Sequence, residues 1–286
     1  GVRLGAPDSR PAYSTGSWFG MLFCAGLGSN LLYFGTIEWM WYYIAPPPGI
    51  VARTAEAATW AGAYSMFHWG LSAWAIYGVA TLPIAYVLYV RRTSVLRLSA
   101  ACGAVLGRQT DGVVGKAIDI LFIFGLVGGI GTSLGVGVPM VSSVGAEIFG
   151  VERGFNLDVI MILGLTAVFS VSVSMGLDKG IKRLSDLNVV LVLLFLGYAV
   201  ATGPTSFILN QTTENVGLLL QNFIWMSLRT DAVGGSGFPQ DYTVFYWAWW
   251  IAWAPFMGLF VARISGGRTL GNVAMGVMLG GSLGCW

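Results

Sequence analysis

Tryptophans crowd the part of the sequence that runs from Tyr242 to Phe260, where YTVFYWAWWI is followed by another tryptophan one helical turn later. On a helix, Trp249 and Trp253 stand four residues apart on one face, while Trp250 lies about 100° round from Trp249. Indole faces carry negative quadrupole density, and several together can enclose a quaternary ammonium group. The alternative is a tryptophan belt at the membrane interface. A cation box is the favoured interpretation, because belts sit at helix ends and this run stays apolar through Phe260.

A second group of aromatic residues follows the motif FHWG. Trp69 and Trp74 are five residues apart, and Tyr77 comes three later, so all three can share one broad helical face. His68 is the single histidine of the sequence; it either relays protons or makes a structural hydrogen bond, and the structural role is favoured. Glu38 is a carboxylate in an apolar segment, so it is expected to face protein or water, either at a cationic ligand or in a hydrogen bond between helices.

The composition is that of a membrane protein. Charged residues make up 10% of the 286 residues, apolar residues make up 56%, and the mean hydropathy is +0.73, whereas a soluble domain carries roughly 25% charge. The sequence therefore predicts an all-α polytopic membrane protein that contacts the lipid bilayer and no nucleic acid. Cys24, Cys102 and Cys285 have no metal-like spacing, so no metal site or disulfide framework is predicted. No nucleophile–base pair or nucleotide loop is recognisable in the sequence, so an enzyme is not expected either.

Seven apolar segments are long enough to cross about 30 Å of hydrocarbon. A shorter apolar stretch at 215–228 is predicted to lie on the membrane surface or dip into it. The chain lacks an initiating Met and stops inside an apolar run, so we expect it to be a fragment of a longer polypeptide. The predicted segments are 17–45, 58–90, 113–143, 156–175, 186–209, 242–263 and 268–286, the last incomplete.

Basic residues divide unequally between the two sides of these segments. With a cytoplasmic N-terminus, twelve of the fifteen Lys and Arg residues fall on the cytoplasmic side, Arg97 among them, and only Arg53, Arg153 and Arg229 fall outside. This bias follows the positive-inside rule and predicts that Arg97 and Arg153 lie on opposite sides of the membrane.

Two of the segments contain residues that disfavour a uniform helix. The first carries Gly26, Gly28 and Asn30 near its middle, and the third is rich in glycine between Gly125 and Gly137. Irregular backbone at this depth persists only where it is buried in protein or lines a wet cavity, and broken helices form the substrate and ion sites of secondary transporters. A broken helix is favoured for the first segment. For the third, close helix packing through small residues is an equal alternative.

Four motifs carry a resemblance to the betaine/carnitine/choline transporter family that runs from end to end of the chain. They are STGSWF at Ser14–Phe19, YSMFHW at Tyr64–Trp69, GTSLG at Gly131–Gly135, and YTVFYWAWW followed by FVARISGGRT. The chain departs from the family's signature at Tyr242, where the family has Trp, and at Gly266, where it usually has a basic residue.

The resemblance implies a leucine-transporter-type fold, in which two inverted five-helix repeats follow two preceding helices. The chain would begin at the family's third helix and end within the second repeat. The resemblance further implies a homotrimer, a multi-pass location in the bacterial inner membrane (the plasma membrane), and a role in osmoprotection. The implied organisation is a single transmembrane transporter domain over 1–286, with the first inverted repeat at 17–211, a connecting surface helix and loop at 212–241, and the start of the second repeat at 242–286.

Substrate-binding residues are carried over from the family by position. Trp41 matches a position where carnitine transporters place a tyrosine of the box, and Met257 matches a methionine at their substrate. Asn30 falls where betaine carriers have a glycine and choline carriers tend to have Asp. The substrate stays open among glycine betaine, carnitine, choline and sulfonium analogues. The implied substrate site comprises Trp41, Trp69, Trp74, Tyr77, Trp249, Trp250, Trp253, Met257 and Asn30.

The resemblance raises the question of whether transport is coupled to sodium, and it implies no other cofactor. One sodium site of the family needs threonines where this chain has Leu126 and Ile130, so that site looks lost apart from its aromatic partner. The second site uses backbone carbonyls in the first segment, and exchangers that need no sodium fill it with an arginine where this chain has Asn188. One sodium ion is favoured over none. The implied ion-binding residues are Cys24, Leu27, Asn188 and Phe256.

The function that follows from the box and the resemblance is secondary transport of a trimethylammonium-type compound by alternating access, coupled to an ion. Two alternatives remain open. One is a sodium-independent exchanger of the carnitine/butyrobetaine type, and the other is a membrane sensor that binds such compounds without transporting them.

Overall fold

The structure is a computed structural model that describes residues 1–93, 95 and 97–286, with the side chains of residues 27–29 set aside. The described residues form helices and no β-strand beyond an isolated bridge between Arg3 and Thr269. Short helical turns lie at Leu98–Ala101, Gly103–Leu106 and Gly107–Thr110. The main helices are α1 Thr15–Ile44, α2 Ala55–His68, α3 Leu71–Tyr89, α4 Val113–Phe149, α5 Phe155–Ser174, α6 Leu177–Thr202, α7 Thr205–Leu228, α8 Pro239–Ile264 and α9 Leu270–Cys285.

Most of these helices are long and apolar enough to cross a membrane. In the described part of the chain, five spans meet that test, namely α2 with α3, α4, α5, α6 and α8, and α1 makes a sixth when its two halves count as one. The shorter α9 occupies the seventh predicted segment. The prediction of an all-α polytopic membrane protein is confirmed. The inverted-repeat organisation stays a prediction.

The predicted C-terminal end of the fifth span, 186–209, is wrong. The structure ends α6 at Thr202 and starts α7 at Thr205, because Pro204 has no N–H to continue a helix and disfavours helical backbone in the residue before it. Helix α7, which contains the stretch 215–228 that was predicted to lie on the surface, is therefore longer than that stretch, and the predicted repeat boundary at 211–212 falls inside it. Gly62 of α2 lets α7 approach closely, since a Cβ at that position would meet the side chain of Asn215.

The first helix is bent, as its sequence predicted. It begins at the cap of Ser14, whose side chain accepts a hydrogen bond from the Ser17 backbone N–H. The halves Thr15–Gly26 and Asn30–Ile44 meet at an angle of 63°. Pro46–Pro48 follows the helix and prevents it from continuing.

The third predicted span is continuous, and the second is not. α4 runs unbroken through its glycines, where Gly129 packs against the Trp253 ring and a Cβ would lie 2.8 Å away; close packing is thus the better interpretation there. The second span, by contrast, breaks between α2 and α3 at Trp69 and Gly70, which the sequence analysis did not foresee. Gly70 has ψ −143°, and a Cβ there would lie 2.5 Å from the Met66 carbonyl oxygen.

Glycines also bring the remaining helices together. Gly258 of α8 lies against Ala80 and Ile84 of α3, so these two helices pack backbone to backbone. In α9, Gly276 packs on Trp18 and Gly280 on Phe19, both from α1. Spacings of four residues between glycines are typical of closely packed membrane helices. The result is a core in which α1, α3, α8 and α9 enclose the aromatic residues.

Candidate substrate and ion site

Four of the predicted box residues form one cluster, which we call the aromatic cluster: Trp69, Trp74, Tyr77 and Trp250. The ring centroid of Trp250 lies 5.7 Å from those of Trp69 and Trp74 and 4.6 Å from that of Tyr77. All four side chains are buried. Edge-to-face and tilted contacts at these distances are favourable arrangements for aromatic rings.

The break between α2 and α3 positions two members of this cluster. Trp69 lies in the non-helical turn between α2 and α3. Trp74 and Tyr77 lie three residues apart on α3 and form an edge-to-face pair, with ring centroids 5.6 Å apart. Because Gly70 leaves the helical conformation, Trp69 is aimed across at α8, where its ring meets that of Trp250 in a T-shaped contact. A continuous helix would have sent Trp69 and Trp74 in directions about 140° apart.

The bend of α1 borders the cluster on another side. A Cβ at Gly26 would lie 3.0 Å from the Trp74 ring and 3.3 Å from the Met257 methyl group. Met257 is fully buried. The Trp74 indole N–H donates to the Cys285 sulfur at 3.4 Å, and Gly281 packs against the indole ring. Trp74 is therefore packed against α9 as well as against α1.

The ring of Phe34 links two more predicted box residues, Trp41 and Trp249, to the aromatic cluster. Phe34 is 6% exposed and lies 5.7 Å from Trp41, 5.7 Å from Trp69 and 5.3 Å from Trp249, measured between centroids. Sequence reasoning missed Phe34, although it stands four residues after Asn30, on the same face of α1. Trp41 and Trp249 thus belong to an outer layer around Phe34.

Trp253 is directed elsewhere. Its ring lies 5.5 Å from that of Phe256 in an edge-to-face contact and rests on Gly129 of α4. Its indole Nε1 is buried and has no hydrogen-bond partner among the described residues. The structure therefore places Trp253 and Phe256 together on the α4 side of α8, away from the aromatic cluster.

A polar network lies directly beside the cluster. The carboxylate of Glu38, 1% exposed, accepts the Trp69 indole N–H at 2.6 Å and the Tyr42 hydroxyl at 2.5 Å. His68 Nδ1 lies 2.7 Å from the Tyr42 hydroxyl, and His68 Nε2 lies 3.0 Å from Thr243 Oγ1. His68 also stands 3.8 Å from Glu38. Both candidate residues thus sit in one hydrogen-bond network, which also holds the indole of Trp69.

Two of the predicted ion residues, Cys24 and Asn188, lie near the bend of α1, and so does Asn30, which was predicted as a substrate residue. Asn188 of α6 donates from Nδ2 to the Cys24 sulfur at 3.3 Å. Asn30 donates weakly to Ser133 of α4 at 3.4 Å, and its side-chain oxygen is buried with no partner among the described residues. Leu27 lies outside the residues whose side chains the structure describes. A carbonyl oxygen at a bend of this kind is a suitable ligand for Na⁺.

One family of known proteins matches this chain over its whole length. The family described as betaine/carnitine/choline transporters (BCCT) matches residues 1–286. A carnitine transporter of Acinetobacter baumannii is 40% identical over 285 residues, which cover 100% of this chain and 52% of that protein. Glycine betaine transporter OpuD of Bacillus subtilis is 38% identical over 280 residues, 97% of this chain and 54% of that protein. A glycine betaine transporter of Acinetobacter baylyi is 38% identical over 278 residues, 97% of this chain and 42% of that protein. The chain spans about half the length of the curated relatives it matches.

Proposed function

Because this chain belongs to the betaine/carnitine/choline transporter family, we propose that the full-length protein is a secondary transporter of a quaternary ammonium compound. The chain is part of a multi-pass membrane protein. The proposed transport proceeds by alternating access, in which the substrate site opens first to one side of the membrane and then to the other.

The aromatic cluster is the observation that carries this proposal. Three aromatic residues from the α2–α3 region meet Trp250 from α8, within one buried group. A desolvated cation–π contact stabilises a bound ammonium by about 2 kcal/mol, and such groups suit methylated ammonium ions that have no N–H to donate. Relatives named for carnitine and glycine betaine point to the same class of substrate. A sensor would use the same cluster, but these relatives are named as transporters, which favours transport.

The direct test is uptake into proteoliposomes that contain the full-length protein. Labelled glycine betaine, carnitine and choline should be compared one at a time, with an outward or inward sodium gradient and with none. Saturable uptake of at least one compound supports the proposal. Specific binding of a compound with no uptake under any gradient would instead support the sensor.

Sodium coupling is the finer part of the proposal. We place one Na⁺ near the bend of α1, where the Cys24–Asn188 contact lies and where the side-chain oxygen of Asn30 has no partner among the residues that the structure describes. An exchanger is the alternative; it would accumulate labelled substrate only when unlabelled substrate or its product is loaded inside. The sodium gradient in the uptake experiment separates these two possibilities, since a symporter responds to it and an exchanger responds to the internal compound.

A further inference from the structure

An unbroken chain of hydrogen bonds leads from the start of α8 to the carboxylate beside the aromatic cluster. Thr243 Oγ1 lies 3.0 Å from His68 Nε2, His68 Nδ1 lies 2.7 Å from the Tyr42 hydroxyl, and that hydroxyl lies 2.5 Å from Glu38 Oε1. Tyr42 and His68 are fully buried, and Thr243 at the far end is 8% exposed. The chain therefore connects a deeply buried carboxylate with a side chain nearer the surface.

Two arrangements of protons satisfy every member of this chain. When Glu38 is ionised, Tyr42 donates to Glu38, His68 donates from Nδ1 to Tyr42, and Thr243 donates to Nε2. When Glu38 is protonated, every direction reverses, so that Glu38 donates to Tyr42, Tyr42 donates to Nδ1, and Nε2 donates to Thr243. The two arrangements have the same heavy-atom positions and differ by one proton.

We propose that Thr243, His68 and Tyr42 form a proton relay that ends at Glu38, which is a proton-binding site of this protein. Thr243 gives its hydroxyl proton to His68 Nε2 and takes a proton from the surface side, which forms an imidazolium. His68 then releases its Nδ1 proton to the Tyr42 oxygen as Tyr42 passes its own proton to Glu38 Oε1. One proton is taken up, the charge of the chain rises from −1 to 0, and no other bond changes.

The groups around the relay leave the charge of Glu38 without a fixed cation. His68 is the one basic side chain within 4.0 Å of Glu38 in the part of the chain that the structure describes. The other titratable groups that pack on the relay are phenols, which are neutral near pH 7: Tyr246 is stacked on His68 at 4.6 Å, Tyr64 lies 5.6 Å from His68, and Tyr242 lies 4.9 Å from Tyr42. A buried carboxylate in such surroundings is stabilised either by taking up a proton or by a cation that binds nearby.

The aromatic cluster is where that cation would bind, and this consequence rests on the proposed function. Glu38 Oε2 accepts the Trp69 indole N–H at 2.6 Å, so the carboxylate of Glu38 is in direct contact with a member of the cluster. A cationic compound such as choline favours the ionised carboxylate, and its binding should release the proton through the relay.

A test that needs no substrate is infrared difference spectroscopy of the full-length protein in lipid, after a jump from neutral to acid pH. A protonated buried carboxyl has its own C=O band, which should appear in the wild type and be missing in Glu38→Gln. Thr243→Val removes the outermost member without touching Glu38. It should keep the amplitude of the band and slow its appearance at least about tenfold, since a positioned proton donor typically contributes roughly a hundredfold or more to a transfer rate.

Tyr43→Phe is the matched control, because Tyr43 is the neighbour of Tyr42 and packs on Trp39 outside the relay; its band should have the wild-type amplitude and rate. The proposal is overturned if the wild type shows no such band, if Glu38→Gln keeps it, or if Thr243→Val is as fast as the wild type. If Glu38→Gln does not fold, the wild type and Thr243→Val still decide. Failure of all three compounds to bind would refute the proposed function alone, because the band is measured without them.

Discussion

At the scale of single residues, the buried aromatic side chains divide into members of one cluster and neighbours with other contacts. Trp250 touches Trp69, Trp74 and Tyr77, whereas Trp249, adjacent in sequence, packs on Phe34 in the outer layer. The two tryptophans should therefore differ in their effect on substrate affinity, although the sequence treats them alike.

Trp250→Leu should lower substrate affinity about thirtyfold, because it removes a desolvated π face worth about 2 kcal/mol while it keeps an apolar side chain. Trp249→Leu should lower affinity less, since its ring contacts only one of the cluster residues, Trp69, at 6.0 Å. Isothermal titration of the purified full-length protein measures both values. Trp39→Leu is the control, because Trp39 is 44% exposed and should bind as the wild type does. Equal affinity in all three variants contradicts the role given to the cluster.

Asn188→Arg should reduce the stimulation of uptake by sodium. The arginine would place a fixed positive charge beside Cys24, which Asn188 now contacts at 3.3 Å, and a tethered charge can bias the same conformation that a bound ion favours. Uptake at several sodium concentrations measures the effect, and Asn188→Leu, which removes the amide without adding charge, is the comparison. If both variants lose uptake equally at every sodium concentration, Asn188 has a packing role only.

At the scale of helices, the contact between α9 and α1 depends on glycines that leave no room for a side chain. A Cβ at Gly280 would collide with the Phe19 ring, whereas a Cβ at Gly271 of the same helix would meet nothing within 4 Å. Because α9 also covers Trp74 through Gly281, displacement of this helix should disturb the cluster as well as the fold.

Gly280→Ala should destabilise the protein by about 1–3 kcal/mol, the usual cost of overpacking. Gly271→Ala should be neutral or slightly stabilising, because alanine favours a helix over glycine by up to about 1 kcal/mol. Thermal unfolding of the two variants in one detergent gives the comparison. A lower unfolding temperature for Gly271→Ala than for Gly280→Ala would mean that the α1–α9 contact is wrongly placed.

At the scale of the whole molecule, the charge distribution determines how the helices cross the membrane. Val105, 90% exposed, lies in the basic connection before α4, and Glu152 lies just after that helix. If α4 crosses the membrane once, as its length and composition allow, the positive-inside rule predicts Val105 in the cytoplasm and Glu152 outside.

Single cysteines at these two positions test that topology. In a background in which Cys24, Cys102 and Cys285 are replaced, Glu152→Cys should react with a membrane-impermeant maleimide on intact cells. Val105→Cys should react only after the cells are opened. Labelling of both positions from the same side would show that α4 does not cross the membrane.

The sequence by itself determined the class of protein, the approximate spans and the types of residue at the site. Apolar runs of about 20 residues, a low charge and clustered tryptophans are local properties, and the solvent preference of each segment follows from its own residues. The bend of α1 was predictable for the same reason, because glycines and an asparagine at that depth weaken the helix locally.

The tertiary structure decided which of those residues meet. The break at Gly70 depends on the close approach of the Met66 carbonyl, and it aims Trp69 at α8. Contacts between α1 and α8 brought Phe34 into the site and left Trp253 against α4. The relay from Thr243 to Glu38 joins side chains up to 205 residues apart in the sequence, through bonds of 2.5 to 3.0 Å. The Tyr42–Glu38 bond joins residues four apart on α1 and follows from helical spacing. The other two bonds depend on how helices pack, so no spacing within the sequence could have predicted them.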